Sequence, residues 1–256
     1  MRQNNPMDTR DSNRCMTSRF GWIAIGCALL AQGLMSTASA NIYTVGDNTC
    51  NYTSIAGALA AAEAHSGADT IRLTRSASYN AQAINFTTSQ DLTITGGFAN
   101  CTTVTEDSVY TILNGAGAPA ASVITINGNT GSTVRLRKLT IKNGDVASTG
   151  SAGGGIQYIG NGLLDIADTL ITQNTGAYGG GINAAATSNA AELDIGPNTL
   201  ITLNSAYFNG GGIYSNNIET AIRGVGIAIY GNDAASVAGS GGYGGGIHIR
   251  GCAENS

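Results

Sequence analysis

Four copies of one phrase limit what this chain can fold into: Gly153-Gly154-Gly155-Ile156, Gly179-Gly180-Gly181-Ile182, Gly210-Gly211-Gly212-Ile213 and Gly244-Gly245-Gly246-Ile247. Their isoleucines are 26, 31 and 34 residues apart. A unit returning at such a period cannot bury its apolar face alone and must stack on its neighbours. A second phrase, ending in asparagine, alternates with the first: Ile171-Thr172-Gln173-Asn174, Ile201-Thr202-Leu203-Asn204 and Ile229-Tyr230-Gly231-Asn232. The first two extend backward into near copies, Leu164-Asp165-Ile166 and Leu193-Asp194-Ile195.

These phrases predict a coil built from a GGGI strand, an LDI-type strand and a LIT-type strand closed by Asn. The glycines allow tight bends without a Cβ penalty. The following Ile156, Ile182, Ile213 and Ile247 point into the stack. Equivalent residues of successive coils lie about 4.8 Å apart. Asn174, Asn204 and Asn232 then align as a ladder of amides, with Asn143 expected to join below. A plainer reading makes each Asn only a favourable turn residue.

The region before Gly153 reads the same way in weaker form. Short alternating runs recur at 71–73, 83–86, 92–94, 123–126, 134–136 and 139–141, each bounded by Gly, Asn, Asp or Ser. The 181 residues from Thr70 to Arg250, at about thirty per coil, give about six coils and a rod about 29 Å long. Residues 41–45 read as a further short strand. The alanine-rich run from Thr53 to Ala64 predicts a helix, capped by Ser54 or Thr53 and burying Ile55, Leu59 and Ala62. A solenoid needs its open end covered, and this helix is placed to cover it. His65, at its exit, reads as an exposed turn residue.

The first forty residues read as an export signal. Arg10, Arg14 and Arg19 precede an apolar stretch at 20–35, and Ala38-Ser39-Ala40 fits a cleavage site, with the cut after Ala40. Translation starting at Met16 would give a signal of ordinary length. An uncleaved anchor is disfavoured, because sixteen residues containing Gln32 fall short of the ~20 that span a bilayer. Cys27 does not end the apolar run as a lipidated cysteine would. Cleavage leaves Cys50, Cys101 and Cys252. Export permits a disulfide, and Cys50 and Cys101, both early in the mature chain, are expected to pair. Cys252 is either a free thiol or the partner of a cysteine beyond Ser256, and the second reading is preferred.

Composition narrows the role. The net charge is −4 with only two lysines, so the basic footprint of a nucleic-acid binder is missing. Charged residues make up 11% and hydrophobic ones 42%, the opposite of a disordered chain.

The alternation of GGGI with IxxN resembles the polymorphic outer-membrane proteins of bacteria, whose pattern is GGA-[Ile/Leu/Val] with FxxN. More broadly the chain is similar to exported right-handed parallel β-helix proteins of the pectate-lyase-like class. The helix followed by Gly67-Ala68-Asp69-Thr70-Ile71-Arg72-Leu73, and Gly96-Gly97-Phe98-Ala99-Asn100-Cys101, fit that class. The resemblance covers residue 41 onward and its diagnostic repeats cover 153–247. Gly stands for Ala at all four GGA-type sites, and Ile for Phe at every FxxN-type site. The resemblance implies an all-β, right-handed parallel β-helix, exported to the cell surface, outer membrane or medium, with a host surface, matrix or glycan as partner. The residues themselves call for no cofactor and for no membrane-spanning helix after signal cleavage. Relatives often carry a C-terminal barrel, but no run of barrel-type strands occurs here.

Catalysis finds little support in the residues. Acid-sugar lyases of this class need clustered carboxylates for calcium and a basic residue. Asp165 and Asp194, one repeat apart, could face each other as such a site; the alternative is that they are the solvent-facing positions of two strands. His248, between Ile247 and Ile249, lacks the flanks of a pectin hydrolase. No Gly-Lys-Ser/Thr follows the glycines, so they are no phosphate loop, and no calcium-roll nonapeptide is present. Tyr178, Phe208 and Tyr243 each precede a glycine run by one or two residues and are expected to stack along one edge, near Tyr214. The favoured role is therefore an adhesin-like binding or structural passenger without catalysis. A polysaccharide-active enzyme and a plain spacer are the alternatives.

Overall fold

The computed structural model describes residues 39–146, 150–186, 191–234 and 242–251. It is an all-β parallel solenoid of about six coils with one short helix, consistent with a right-handed β-helix. The expected apolar signal stretch and Cys252 lie outside the described residues. No helix among those described is long and apolar enough to cross a membrane.

Three faces build each coil. The first stacks β1 (Ile42–Val45), β2 (Asp69–Thr74), β4 (Leu92–Phe98), the first halves of β7 (Thr133–Lys142) and β9 (Leu163–Thr172), β12 (Glu192–Ile195) and β16 (Glu219–Ile222). The second stacks β5 (Thr111–Asn114), the second halves of β7 and β9, β13 (Leu200–Thr202) and β17 (Ala228–Tyr230). The third stacks β3 (Ile84–Thr88), β6 (Ile124–Gly128), β8 (Ile156–Gly160), β11 (Ile182–Ala186), β15 (Ile213–Asn216) and β19 (Ile247–Arg250). Between the second and third faces run the short strands β10 (Thr175–Gly176), β14 (Ser205–Ala206) and β18 (Asp233–Ala234). Every strand pairing is parallel.

Register turns the alternation into a core. Ile84, Ile124, Ile156, Ile182, Ile213 and Ile247 are paired in one line across the third face. Ile94, Leu136, Ile166 and Ile195 line the first; Leu113, Ile141, Ile171, Ile201 and Ile229 line the second. These columns meet inside the coils in one apolar cluster. Burial of such side chains, each giving roughly 1.5–3 kcal/mol, is what makes the stack favourable. Tyr158 is fully buried in it. Its hydroxyl donates to the Gly162 carbonyl at 2.6 Å, and burial pushes the phenol up to about 12.

The corner between the first two faces differs from the sequence reading. Runs 134–136 and 139–141 are one strand, β7, bent at Lys138, whose φ is +54°. Asp168 (φ +46°) and Asn198 (φ +54°) turn the same corner in the next two coils, and Asn198 Nδ2 donates to Asp168 Oδ1 at 3.0 Å. One left-handed residue shifts the alternation, so the inward residues pass from even positions (Leu164, Ile166) to odd ones (Thr169, Ile171).

Helix α1 (Ile55–Ala64) packs on β1, β2 and β3 of the first coil. Ser54 caps it, accepting from Gly57 N at 3.2 Å. Ile55, Ala58, Leu59 and Ala62 are buried and join the central cluster. Ala58 completes the face read from Ile55, Leu59 and Ala62. Cys50, between β1 and α1, is bonded to Cys101, in the loop after β4, with Cα atoms 5.2 Å apart. This ties the loop before the helix to the second coil. Replacing both cysteines by serine should lower stability by about 4 kcal/mol, from the entropy of the opened loop; denaturant titration under oxidising conditions measures it, and a loss below 1 kcal/mol would show that the bond constrains little.

Candidate functional site

Glycines bring the isoleucine column into the third face. Gly155, Gly181, Gly212 and Gly246 immediately precede Ile156, Ile182, Ile213 and Ile247, whose strands pair in register. The glycine backbones of neighbouring coils are themselves linked: Gly180 N donates to Gly210 O at 3.2 Å, and Gly211 N to Gly244 O at 3.2 Å. These residues build geometry and present no side chain to a ligand.

The asparagines lie inside the turn that follows the second face. Asn174 Nδ2 donates to Asn204 Oδ1, and Asn204 Nδ2 to Asn232 Oδ1, both at 2.9 Å. Each amide also donates to a strand carbonyl of the preceding coil: Ile141, Ile171 and Ile201 at 3.1, 3.0 and 2.8 Å. Asn143 is one position out of this line. It has φ +58°, like Gln173 (φ +57°) and Leu203 (φ +56°), and its amide reaches Asn114 Oδ1 at 2.9 Å instead. Gly144 takes the place below Asn174, its N–H donating to Asn174 Oδ1 at 2.9 Å. The physical reason is spacing: Asn143 follows Ile141 by two residues, whereas the other three follow their isoleucine by three.

Outward on the first face runs a charged column. Asp165 and Asp194 are in register on adjacent strands, and each carboxylate is already paired through its Oδ2 with an arginine. Arg137 binds Asp165 through both its carboxylate and, at 2.8 Å, its carbonyl, and Arg135 approaches at 3.9 Å. Arg223, from the coil on the other side, donates to Asp194 Oδ2 at 3.0 Å and to Glu192 Oε1 at 2.6 Å. Calcium needs six to eight oxygens, and here an arginine takes the Oδ2 of each aspartate while Asp194 Oδ1 is buried without a hydrogen-bond partner. Such partly exposed pairs add about 0–1 kcal/mol each and serve mainly to match the charge of one coil to the next.

The third face carries a different outward feature. Tyr178 stacks on Phe208 with ring centroids 4.9 Å apart, and contacts Tyr214 at 4.9 Å. Tyr214 lies parallel to His248 at 5.4 Å, and Tyr243 closes the group 6.2 Å from His248. The cause is register: Tyr214 and His248 are paired outward residues of β15 and β19, while Tyr178, Phe208 and Tyr243 stand just before the glycine turns of three successive coils. Tyr243 does not stack on Phe208 as the sequence suggested. It meets His248, which the sequence placed correctly as an outward strand residue but did not join to the tyrosines. Tyr214 is buried beneath its neighbours, Tyr178, Phe208 and His248 are half-buried, and Tyr243 is 66% exposed. Five rings thus form one patch on the side of the rod.

His65 is also not a free turn residue. Its Nδ1 lies 3.0 Å from Asp69 Oδ1, and the Asp69 side chain is almost wholly buried.

No family model, curated protein or solved structure matches this chain.

Proposed function

We infer that this chain is an exported β-helix passenger with an adhesin-like binding role, acting at the cell surface or in the medium and carrying no catalytic centre of its own. The observation that carries this reading is the five-ring patch of Tyr178, Phe208, Tyr214, His248 and Tyr243. Rings give large, rigid contact area at low entropic cost, and aromatic residues are enriched where proteins hold partners. The patch lies along the rod, where an extended glycan or matrix protein can follow it. The resemblance of GGGI and IxxN to polymorphic outer-membrane protein repeats supports the same role, and the signal-like first forty residues support export.

Binding of residues 41–256 to a glycan array and to immobilised matrix proteins tests the proposal. Tyr243→Ala and Phe208→Ala should each weaken the binding found by about tenfold, the loss of roughly 1.4 kcal/mol, with the circular dichroism spectrum unchanged. The competing reading is a polysaccharide lyase using Asp165 and Asp194. Calcium-dependent release of unsaturated products from polygalacturonate, abolished by Asp165→Ala, would sink the binding proposal.

A further inference from the structure

We propose that Asp69 is a built receptor for a newly freed chain terminus, so that cleavage after Ala40 converts a peptide hydrogen bond into an ion pair that locks the first coil. The proposal rests on the export reading and goes beyond it.

Two independent observations meet at Asn41. In the sequence, Ala38-Ser39-Ala40 marks the bond before it for cleavage. In the structure, the nitrogen of Asn41 lies 2.9 Å from Asp69 Oδ1. The other main-chain group of Asn41 is fixed as well, its carbonyl accepting from Thr70 N at 2.9 Å. The nitrogen is therefore held in place before any cut is made. Hydrolysis of the Ala40–Asn41 bond adds one water: the carboxylate leaves with Ala40, and the nitrogen stays as an α-ammonium. That cation is then already at hydrogen-bond distance from a carboxylate whose side chain is only 2% exposed.

A buried carboxylate is costly unless it is paired. Before the cut, Asp69 has a peptide N–H and His65 Nδ1, at 3.0 Å, as partners. After it, a full positive charge replaces a neutral donor, and charge-assisted hydrogen bonds are roughly twice as strong as neutral ones. Asp69 also lines a small hollow beneath α1. Glu63 of α1 and Asp91, before β4, both border it, but Asp91 is committed to Arg135 at 3.4 Å and to Thr133 N at 2.9 Å.

The bond joins the first strand, the exit of α1 and the start of β2, which together close the apolar end of the solenoid. Processing would then stabilise the cap only in the mature chain.

The experiment compares the chain beginning at Asn41 with the same chain keeping Ala40, each with and without Asp69→Asn. At pH 7 the chain beginning at Asn41 should melt about 3 °C higher. A nearby carboxylate raises the amine above its usual ~8. The gain is therefore complete below pH ~8 wherever Asp69 is ionised, and fades as pH rises through the raised value. It should also vanish in the Asp69→Asn pair. Equal melting of the two starting chains, or a difference that survives Asp69→Asn, would overturn the proposal. Because that variant could misfold, the mature terminus can be dimethylated with a 13C label and titrated by NMR: a value above ~8 supports the ion pair, and a value at or below it overturns it. Intact mass of the exported protein separately tests the cut. A terminus other than Asn41 refutes the processing premise whatever the engineered chains show.

Discussion

Asn204→Ala should destabilise the rod by about 4 kcal/mol. Asn204 is the middle rung and is 1% exposed. Its Oδ1 accepts from Asn174 N at 3.1 Å and from Asn174 Nδ2 at 2.9 Å. Its Nδ2 serves Ile171 O at 3.0 Å and Asn232 Oδ1 at 2.9 Å. Truncation leaves the Asn174 N–H and the Ile171 carbonyl without these partners. It also halves the bonding of two further amides, since Asn174 Nδ2 keeps Ile141 O and Asn232 Oδ1 keeps the Asn204 N–H. A buried orphan costs roughly 1–3 kcal/mol, so two full and two partial losses give the expected size. The comparison that isolates the ladder is Asn143→Ala. Asn143 serves only its neighbour Asn114 among the ladder-type contacts, and with the added cost of alanine at φ +58° the expected loss is about 1–2 kcal/mol. Urea titration of the two variants against the parent measures both. Similar midpoints would show that these asparagines act as interchangeable turn residues.

That contrast also marks how far the sequence could be followed. The coil, its period and the inward isoleucines were legible because each repeated phrase is locally self-consistent: glycine turn, alternating strand, asparagine stop. Asn143 falls out of line because residue type alone does not fix the spacing from the isoleucine. Counting from Ile141 would have put Gly144, not Asn143, under Asn174. The corner at Lys138, Asp168 and Asn198 was missed for a different reason. Asp and Asn are enriched at positive φ but Lys is not, so residue type alone does not mark the corner, and the switch of apolar residues from even to odd positions betrays it.

The candidate site divided along similar lines. That Asp165 and Asp194 share a row followed from the repeat, since equal positions stack. Their neutralisation did not, because Arg137 pairs along the strand ladder with Ala167 and reaches Asp165 diagonally. Diagonal reach depends on side-chain length and twist, which no one-dimensional pattern carries. The aromatic patch was half visible. The rings before the glycine turns stand out in sequence, whereas the contribution of His248 required the pairing of β15 with β19.

Gly180→Ala should cost about 3 kcal/mol or more, or prevent folding, while Gly246→Ala should change stability by less than about 0.5 kcal/mol. The two sites share a motif and differ in what lies above them. A methyl at Gly180 would sit 2.2 Å from the Ser205 carbonyl oxygen and 2.6 Å from that of Gly211. Both oxygens belong to the next coil's backbone, which is held at the strand-stacking distance of about 4.8 Å and cannot give locally. The third glycine of an interior run is also confined, Gly181 facing Gly212 O at 2.7 Å. At Gly246 the added methyl would meet only Ile229 Cγ2, at 3.9 Å, because no described strand stacks beyond β19. Thermal and urea unfolding of residues 41–256 carrying each change measures the difference. Equal tolerance at both sites would mean that coil spacing relaxes far more than close-packed backbone allows. A large loss at Gly246 would carry a separate meaning: some other part of the chain, or a second copy, covers β19 in solution and presses on that glycine as Gly211 presses on Gly180.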